Sequence, residues 1–205
     1  MKKASFNDLK FDTLYEGVAK CVRNAQELCD EAEILHEHKK FARSFALSHF
    51  AREELGKSFV LSKALIDFSA GISIDWKALN RKFRDHKQKL LNDAGVTQYL
   101  FGNELAEQGH SPNTFYAIID TKNNKKNQCL YTDWNNSKFV LPSECITEEQ
   151  SERNLSLAIY RVAKFSKPMA SLQNLKEIPQ QKLKQLYPKE IPESAEELLN
   201  TFSKI

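Results

Sequence analysis

The chain has 205 residues, a formal net charge of +3 and 41% hydrophobic residues, with only 6 glycines and 6 prolines. A chain of this length can bury a sizeable core as one domain, and its low Gly and Pro content excludes collagenous, low-complexity and Gly-turn-rich all-β proteins. Every proline lies at Pro112 or later. The preceding residues lack the strongest helix breaker and are therefore predicted to be helical.

The apolar residues and the cysteines indicate a cytoplasmic protein. No segment approaches the ~20 consecutive apolar residues of a membrane span, and no apolar run follows the first three residues, so we expect no membrane association. The four cysteines form no C-x-x-C pair and are too sparse for a disulfide framework. We therefore expect reduced, mostly buried thiols and no metal site. Phosphate-loop and dinucleotide-binding motifs are absent from the sequence, so no cofactor is expected.

Three helices are predicted before residue 93. In the first, apolar residues recur at steps of three and four over residues 11–35, and Thr13 with Glu16 offers a capping box at its start. The second is predicted over residues 39–68. The third is expected to begin after Asp75, and its inward-facing residues are Trp76, Leu79, Phe83, His86 and Leu90.

The second half of the chain changes in character. Residues 115–119 and 129–132 resemble strands around a polar segment, which predicts a β-hairpin within an insert at about 114–141, with residues 139–141 as an added edge. A capping box at Thr147 and Gln150 predicts a fourth helix that ends before Pro168.

The predicted fold is mainly α. It is an antiparallel helical bundle with a small β-hairpin inserted before the last bundle helix and a short helical C-terminal tail. We expect one helical domain over residues 1–166, with residues 167–205 as a tail in the same globule.

The predicted second helix carries charged residues where its apolar spacing continues. A count by threes and fours places Arg43, Glu54 and Lys57 on the inward-facing stripe. Burying an ion is costly unless it is paired, so two interpretations remain open. Either Glu54 and Lys57 form a structural ion pair, or they line a polar cleft in which Lys57 binds a phosphate and Glu54 orients a base.

The predicted third helix supplies a candidate base in His86, which points towards the bundle. Lys82 and Lys89 flank it, and residues 77–91 contain six basic residues and one acidic residue. Such a stripe suits a phosphodiester substrate, and the candidate RNA-binding residues are Lys82, Arg84, Lys87 and Arg43. A solvated charged face is the alternative for Arg81, Arg84 and Lys87.

An ordered set of motifs resembles the AbiV family of abortive-infection proteins, a branch of the HEPN superfamily. The resemblance extends over about residues 12–165. The matching residues are Asn24–Ala25, the Glu53–Lys57 block E-E-L-G-K, His86 with Lys89, Leu130–Asp133, Pro142 and Ile146–Glu149.

The resemblance implies a homodimeric HEPN bundle that defends a bacterium against phage by shutting down protein synthesis. Many HEPN proteins are metal-independent ribonucleases with an R-x4-6-H motif, which Arg81 with His86 and Arg43 with His49 match in spacing. On a straight helix, however, the residues of these pairs point about 140° and about 120° apart. We therefore rank Arg81 below the other candidate catalytic residues.

The residue types then suggest a mechanism for cleaving RNA, whether tRNA, rRNA or mRNA. His86 acts as general base or general acid, Glu54 orients it, and Lys57, Lys89 and Arg81 stabilise the charged phosphate. The expected product is a 2′,3′-cyclic phosphate, formed without metal. Because an uncontrolled nuclease would poison its host, we expect a phage-encoded activator or a change in assembly to switch it on.

Two other functions are compatible with the sequence. A non-catalytic module could bind RNA, the ribosome or a phage protein and block translation by occupancy. A carboxylate-bridged metal bundle is suggested by the E-x-x-H motif of Glu33 and His36. Such bundles need two of these motifs and only one is present, which disfavours this function.

Overall fold

The structure, a computed structural model, describes residues 6–86, 89, 125–135 and 137–186. The elements in chain order are α1 (Phe11–Glu37), α2 (Phe41–Ser69), α3 (Trp76–Arg84), β1 (Asp133–Asn135), β2 (Lys138–Val140), α4 (Pro142–Cys145), α5 (Glu148–Ser171), a 3-10 helix (Leu172–Glu177) and α6 (Gln180–Leu186). The mainly helical fold, with a small antiparallel hairpin before the last long helix, is confirmed. The predicted strand at 115–119 and the basic residue Lys87 lie outside the described residues.

Helix α1 buries the face that its periodicity predicts. Its buried residues are Leu14, Val18, Cys21, Ala25, Cys29 and Ala32. The helix starts two residues earlier than the predicted capping box, and its N-cap residue Lys10 makes no side-chain capping bond. The capping box at Thr13 is therefore wrong. Phe11 packs against the core, and this contact extends the helix to the first residue of the apolar stripe.

Helix α2 lies at the centre of the molecule and packs against both α1 and α5. Of its 29 residues, 17 are buried, so this helix is covered on more than one side. The single inward stripe predicted for α2 is consequently wrong. The same count by threes and fours also places Phe68 on that stripe, but Phe68 is 37% exposed, whereas Leu55 and Leu65 are fully buried.

Helix α3 is shorter than predicted. Asp75 caps it as expected, since its side chain accepts a hydrogen bond from the Ala78 N–H at 2.9 Å. The helix ends at Arg84 because Asp85 adopts an extended conformation, with φ −77° and ψ 119°. A new helical turn follows, in which the Lys89 N–H donates to the Asp85 carbonyl at 3.1 Å. His86 therefore belongs to a separate turn after α3.

The hairpin of the described residues begins after the segment 129–132, and the predicted partner strand at 115–119 lies outside the described residues. The predicted edge at 139–141 corresponds in part to β2. Strands β1 and β2 pair antiparallel with Trp134 opposite Phe139. Residues 129–132, predicted as a strand, instead follow a helical turn, and the Cys129 N–H donates to the Lys125 carbonyl at 3.0 Å. Cys129 is buried with Ala42 and Phe45 of α2, and packing against a helix favours this turn over an extended strand.

Helix α5 begins as predicted and ends later than predicted. Thr147 caps it by accepting from the Gln150 N–H, and the reciprocal bond of the capping box is also present. The helix continues through Pro168 to Ser171. Proline removes one helical hydrogen bond, but Phe165 and Met169 on either side of it are buried in the core, and their packing holds the helix together.

The described residues contain no disulfide and no group of three or more His, Cys, Asp or Glu side chains that could hold a metal ion. Burial raises the pKa of the thiols of Cys21, Cys29 and Cys129 to about 12. These thiols are therefore protonated and unreactive at neutral pH. Within the same part of the chain, no helix is both long enough and apolar enough to cross a membrane.

Candidate functional site

One buried carboxylate gathers four basic side chains at the centre of the molecule. Glu53 of α2 is 3% exposed. Its Oε1 lies 2.8 Å from Lys126 Nζ and 3.5 Å from His49 Nε2, and its Oε2 lies 2.7 Å from His86 Nδ1 and 3.3 Å from Lys89 Nζ. We refer to these five residues as the Glu53 cluster.

The charge balance of the Glu53 cluster is positive. Burial acts to raise the pKa of Glu53, but the close approach of His49 and the hydrogen bonds from Lys126 and His86 outweigh it and hold this pKa well below its usual range. Burial lowers the pKa of His49 against the opposing effect of Glu53, so His49 is neutral at pH 7. A single ionised carboxylate thus faces the ammonium groups of Lys89 and Lys126, and the cluster carries an excess positive charge.

His86 connects this buried cluster to solvent. Its side chain is 58% exposed, although its Nδ1 contacts a carboxylate that is 4% exposed. Because an ionised carboxylate only accepts hydrogen bonds, Nδ1 carries the proton and donates it to Glu53. In the neutral ring the lone pair is then on Nε2. His86 is therefore oriented as a base, with its reactive nitrogen on the side of the ring away from Glu53.

A glycine on α2 allows the His86 turn to approach. Gly56 lies one helical turn after Glu53, and a Cβ built at Gly56 would be 2.3 Å from the Lys89 carbonyl oxygen. Only a residue without a side chain lets the backbone of this turn lie so close to α2. The E-E-L-G-K block thus supplies the carboxylate, the fully buried core residue Leu55 and the glycine that brings His86 and Lys89 to it.

Glu54 and Lys57 form an ion pair with each other and lie outside the Glu53 cluster. Both are partly buried, and Lys57 Nζ lies 5.4 Å from the ring centre of Phe83. The prediction that Glu54 orients His86 is therefore wrong, since Glu53 makes that contact. Adjacent helical residues point about 100° apart, so only one of the two glutamates can face the His86 turn.

The predicted basic residues are divided between surface and interior. Arg81, Lys82 and Arg84 are exposed on α3, where Arg84 Nε donates to the Asn80 side chain at 3.0 Å. Lys89 is 4% exposed and lies inside the cluster. Arg43 is exposed at the start of α2 and donates to the Leu130 carbonyl at 3.1 Å.

The two Arg–His spacings have different outcomes in the structure. The extended conformation of Asp85 separates Arg81 from His86, so the angle computed for a straight helix does not apply to that pair. His49 is fully buried, so Arg43 and His49 cannot form a site that is open to RNA.

Three members of the Glu53 cluster, Glu53, His49 and Lys126, are not among the sequence-predicted site residues. His49 and Glu53 lie four residues apart on α2 and therefore on one helical face, a signal that the sequence does contain. Lys126 contacts Glu53 across 73 positions of the chain. Its position within a polar segment gives no sign of that contact.

A family model described as AbiV, of the HEPN type, matches residues 13–162. The chain belongs to the AbiV family. The match includes all of α1 except its first two residues, α2, α3 and most of α5, and all five residues of the Glu53 cluster lie within it. This AbiV-family chain is thus an HEPN-type abortive-infection protein. No curated protein and no solved structure matches it significantly.

Proposed function

We propose that this AbiV-family protein halts translation during phage infection by cleaving RNA as a metal-independent endoribonuclease. The observation that carries the proposal is the contact between Glu53 and His86. A buried carboxylate fixes one ring nitrogen of a histidine whose side chain is 58% exposed. This arrangement orients a general acid or base towards a substrate in solvent.

The proposed reaction uses the ribose 2′-hydroxyl as nucleophile. His86 Nε2 accepts the hydroxyl proton, the 2′-oxygen forms a bond to the adjacent phosphorus, and the bond from phosphorus to the 5′-oxygen breaks. The imidazolium returns its proton to the leaving 5′-oxygen, so the products are a 2′,3′-cyclic phosphate and a free 5′-hydroxyl. Glu53 stabilises the imidazolium while it carries the proton.

The excess positive charge of the Glu53 cluster supports the same reaction. Lys89 and Lys126 are 4% and 5% exposed, so they do not bind phosphate directly. They act through their field, which a low-dielectric interior screens weakly, and favour negative charge that develops near His86. Arg81 and Lys82 on the exposed face of α3 are the proposed direct phosphate contacts, and Lys57 beside Phe83 is a third.

Assembly and control complete the proposal. A homodimer that brings two α3 helices together would double the exposed basic surface available to one tRNA, rRNA or mRNA. Because a phage-encoded activator is present only during infection, RNA cleavage would not begin before the phage enters the cell.

The decisive experiment compares two histidine variants on purified RNA. Total RNA is incubated in excess chelator with protein purified from phage-infected cells, so that the proposed activator has acted, and fragments with 2′,3′-cyclic phosphate ends are quantified. We expect His86→Ala to lower cleavage at least 100-fold, as for loss of a general acid or base. His38→Ala is the matched control because His38 is also exposed and bonds only the Ile34 carbonyl among the described residues, and it should cleave like wild type.

RNA mapping in infected and uninfected cells tests the remaining steps. Cleavage confined to infected cells, and absent with His86→Ala, supports an activated ribonuclease. Intact RNA in infected cells whose translation has stopped would instead favour the non-catalytic module. Growth arrest on simple overexpression, without phage, would contradict control by a phage factor.

A further inference from the structure

The β-hairpin and the residues that flank it carry the three most exposed large apolar side chains of the described residues, and a fourth that is more than half exposed. Phe139 is 73% exposed, Tyr131 67%, Trp134 60% and Leu141 54%. The Trp134 and Phe139 rings contact edge to face with centroids 4.8 Å apart. We call these four residues the hairpin patch. Exposed aromatic rings that pack on each other at the surface are typical of a binding site.

A basic pocket adjoins the hairpin patch. It has a volume of about 270 Å³, and its lining residues include three basic side chains and no acidic one. The lining residues are Lys39, Lys40, Phe41, Ala42, Arg43, Leu141, Pro142 and Ser143. Leu141 belongs to both features and follows Phe139 by two residues, or roughly 7 Å of extended chain. The pocket and the patch therefore form one continuous surface.

We propose that this continuous surface binds single-stranded RNA. Bases stack on Trp134 and Phe139, and the backbone phosphates occupy the basic pocket. The inference rests on the proposed ribonuclease function and gives it a second contact with its substrate, away from His86.

The charge of the surface favours RNA over a protein partner. Lys39, Lys40 and Arg43 give the pocket three positive charges without an acid among the lining residues. An apolar protein segment would cover the aromatic rings but leave these cations unpaired. A polynucleotide satisfies both features, because each base has a face that stacks and each phosphate carries a charge.

The proposed surface is distinct from the site of chemistry. Arg43 precedes Glu53 by ten residues on α2, which corresponds to about 15 Å along the helix axis. Residues of the pocket and patch therefore anchor RNA without touching the reacting phosphate. Their loss should weaken binding independently of the cleavage step.

Binding of an uncleavable probe tests the proposal. A fluorescein-labelled 2′-O-methyl oligouridine lacks the nucleophilic hydroxyl, so its anisotropy reports binding whether or not the protein is a nuclease. We expect the double variant Trp134→Ala/Phe139→Ala to bind at least about tenfold more weakly with an unchanged salt dependence. The double variant Lys39→Ala/Lys40→Ala should reduce the slope of log K against log salt concentration by about 1.4.

Matched controls come from exposed residues of α5. Tyr160→Ala removes an aromatic ring that is 43% exposed, and Lys164→Ala/Lys167→Ala removes two exposed charges far from the pocket. Hairpin variants that weaken binding no more than Tyr160→Ala would overturn the proposal. So would a hairpin variant that binds the probe normally yet fails to protect cells from phage, because the patch would then be a site for a protein.

Discussion

Glu53 and Glu54 are adjacent in the chain and have opposite environments. Glu53 is almost completely buried and contacts four basic side chains, whereas Glu54 pairs only with Lys57 near the surface among the described residues. The two residues have the same chemistry and the same helical propensity. Any difference between their variants therefore reports the environment of the carboxylate.

Glutamine substitutions at these two positions should have unequal effects on stability. Glu53→Gln leaves Lys89 and Lys126 buried without a carboxylate, so we expect the free energy of unfolding to fall by about 3 kcal/mol. Glu54→Gln breaks a pair near the surface and should cost less than about 1 kcal/mol. Urea unfolding at pH 7 measures both values. Equal losses would contradict the central position of Glu53.

The same variants should differ in their pH dependence. The pKa of Glu53 lies below its ordinary value of 4.5 in the folded protein, so the unfolded chain takes up a proton first as the pH falls. The stability that Glu53 contributes is therefore complete at neutral pH and is lost progressively below about pH 5. Glu53→Gln should flatten this acid limb, and Glu54→Gln should retain it.

His49 adds to the acid sensitivity at higher pH. Its pKa is lowered from the ordinary 6.5. Below about pH 6.5 the His49 imidazole is therefore protonated in the unfolded chain while it is still neutral in the folded protein. Wild-type stability should thus begin to decline just below neutral pH. If the free energy of unfolding instead increased as the pH was lowered from 7 to 4, the lowered pKa values of both Glu53 and His49 would be contradicted.

At the scale of elements, the contact between α2 and the His86 turn assembles the candidate site. Glu53 and Gly56 lie on one face of α2, and the Lys89 backbone lies against Gly56. The geometry of the site therefore depends on a position that carries no functional group.

An alanine at Gly56 should separate the two elements. In an unconstrained helix, Gly→Ala stabilises by about 1 kcal/mol. Here the new Cβ would be 2.3 Å from the Lys89 carbonyl oxygen. This oxygen belongs to the backbone, so relieving the clash requires the whole turn to move away from α2. We expect Gly56→Ala to lower RNA cleavage at least tenfold through loss of the contact between Glu53 and His86, whose imidazole NMR signals would shift.

Gly17→Ala is the matched control for that experiment. Its new Cβ would be 2.9 Å from the terminal methyl carbon of Leu61, a flexible side chain that can shift. We expect unchanged cleavage and a stability within about 1 kcal/mol of wild type. If both alanine variants keep full activity, the close approach at Gly56 does not position His86.

The sequence predicted correctly those features that depend only on residues close together in the chain. The apolar period of α1, the Asp75 cap and the Thr147 capping box all correspond to structure, because each depends on residues a few positions apart. The break at Asp85 and the Lys126 contact depend on packing between distant segments. The prediction that Glu54, and not Glu53, contacts His86 was wrong for the same reason. It relied on a single inward-facing stripe counted in steps of three and four, and α2 has no single stripe because two helices cover it.

At the scale of the whole molecule, α2 connects the two proposed RNA contacts. The basic pocket lies at its N-terminal end, and Glu53 lies near its middle. Because α2 is held between α1 and α5, the separation of about 15 Å between Arg43 and Glu53 along its axis is rigid. A substrate that uses both contacts must be long enough to span it.

This fixed separation predicts a minimum length for efficient cleavage. At 3.4 Å per stacked nucleotide, about five nucleotides span the distance. We expect kcat/KM for oligouridines to rise steeply as the length increases from three to about six nucleotides and then to level off. Trp134→Ala/Phe139→Ala should remove that rise while leaving the slow cleavage of trinucleotides unchanged, because short substrates reach His86 alone. A length dependence that is identical in wild type and in this variant would show that the hairpin patch contributes nothing to substrate binding, even if His86 is the catalytic residue.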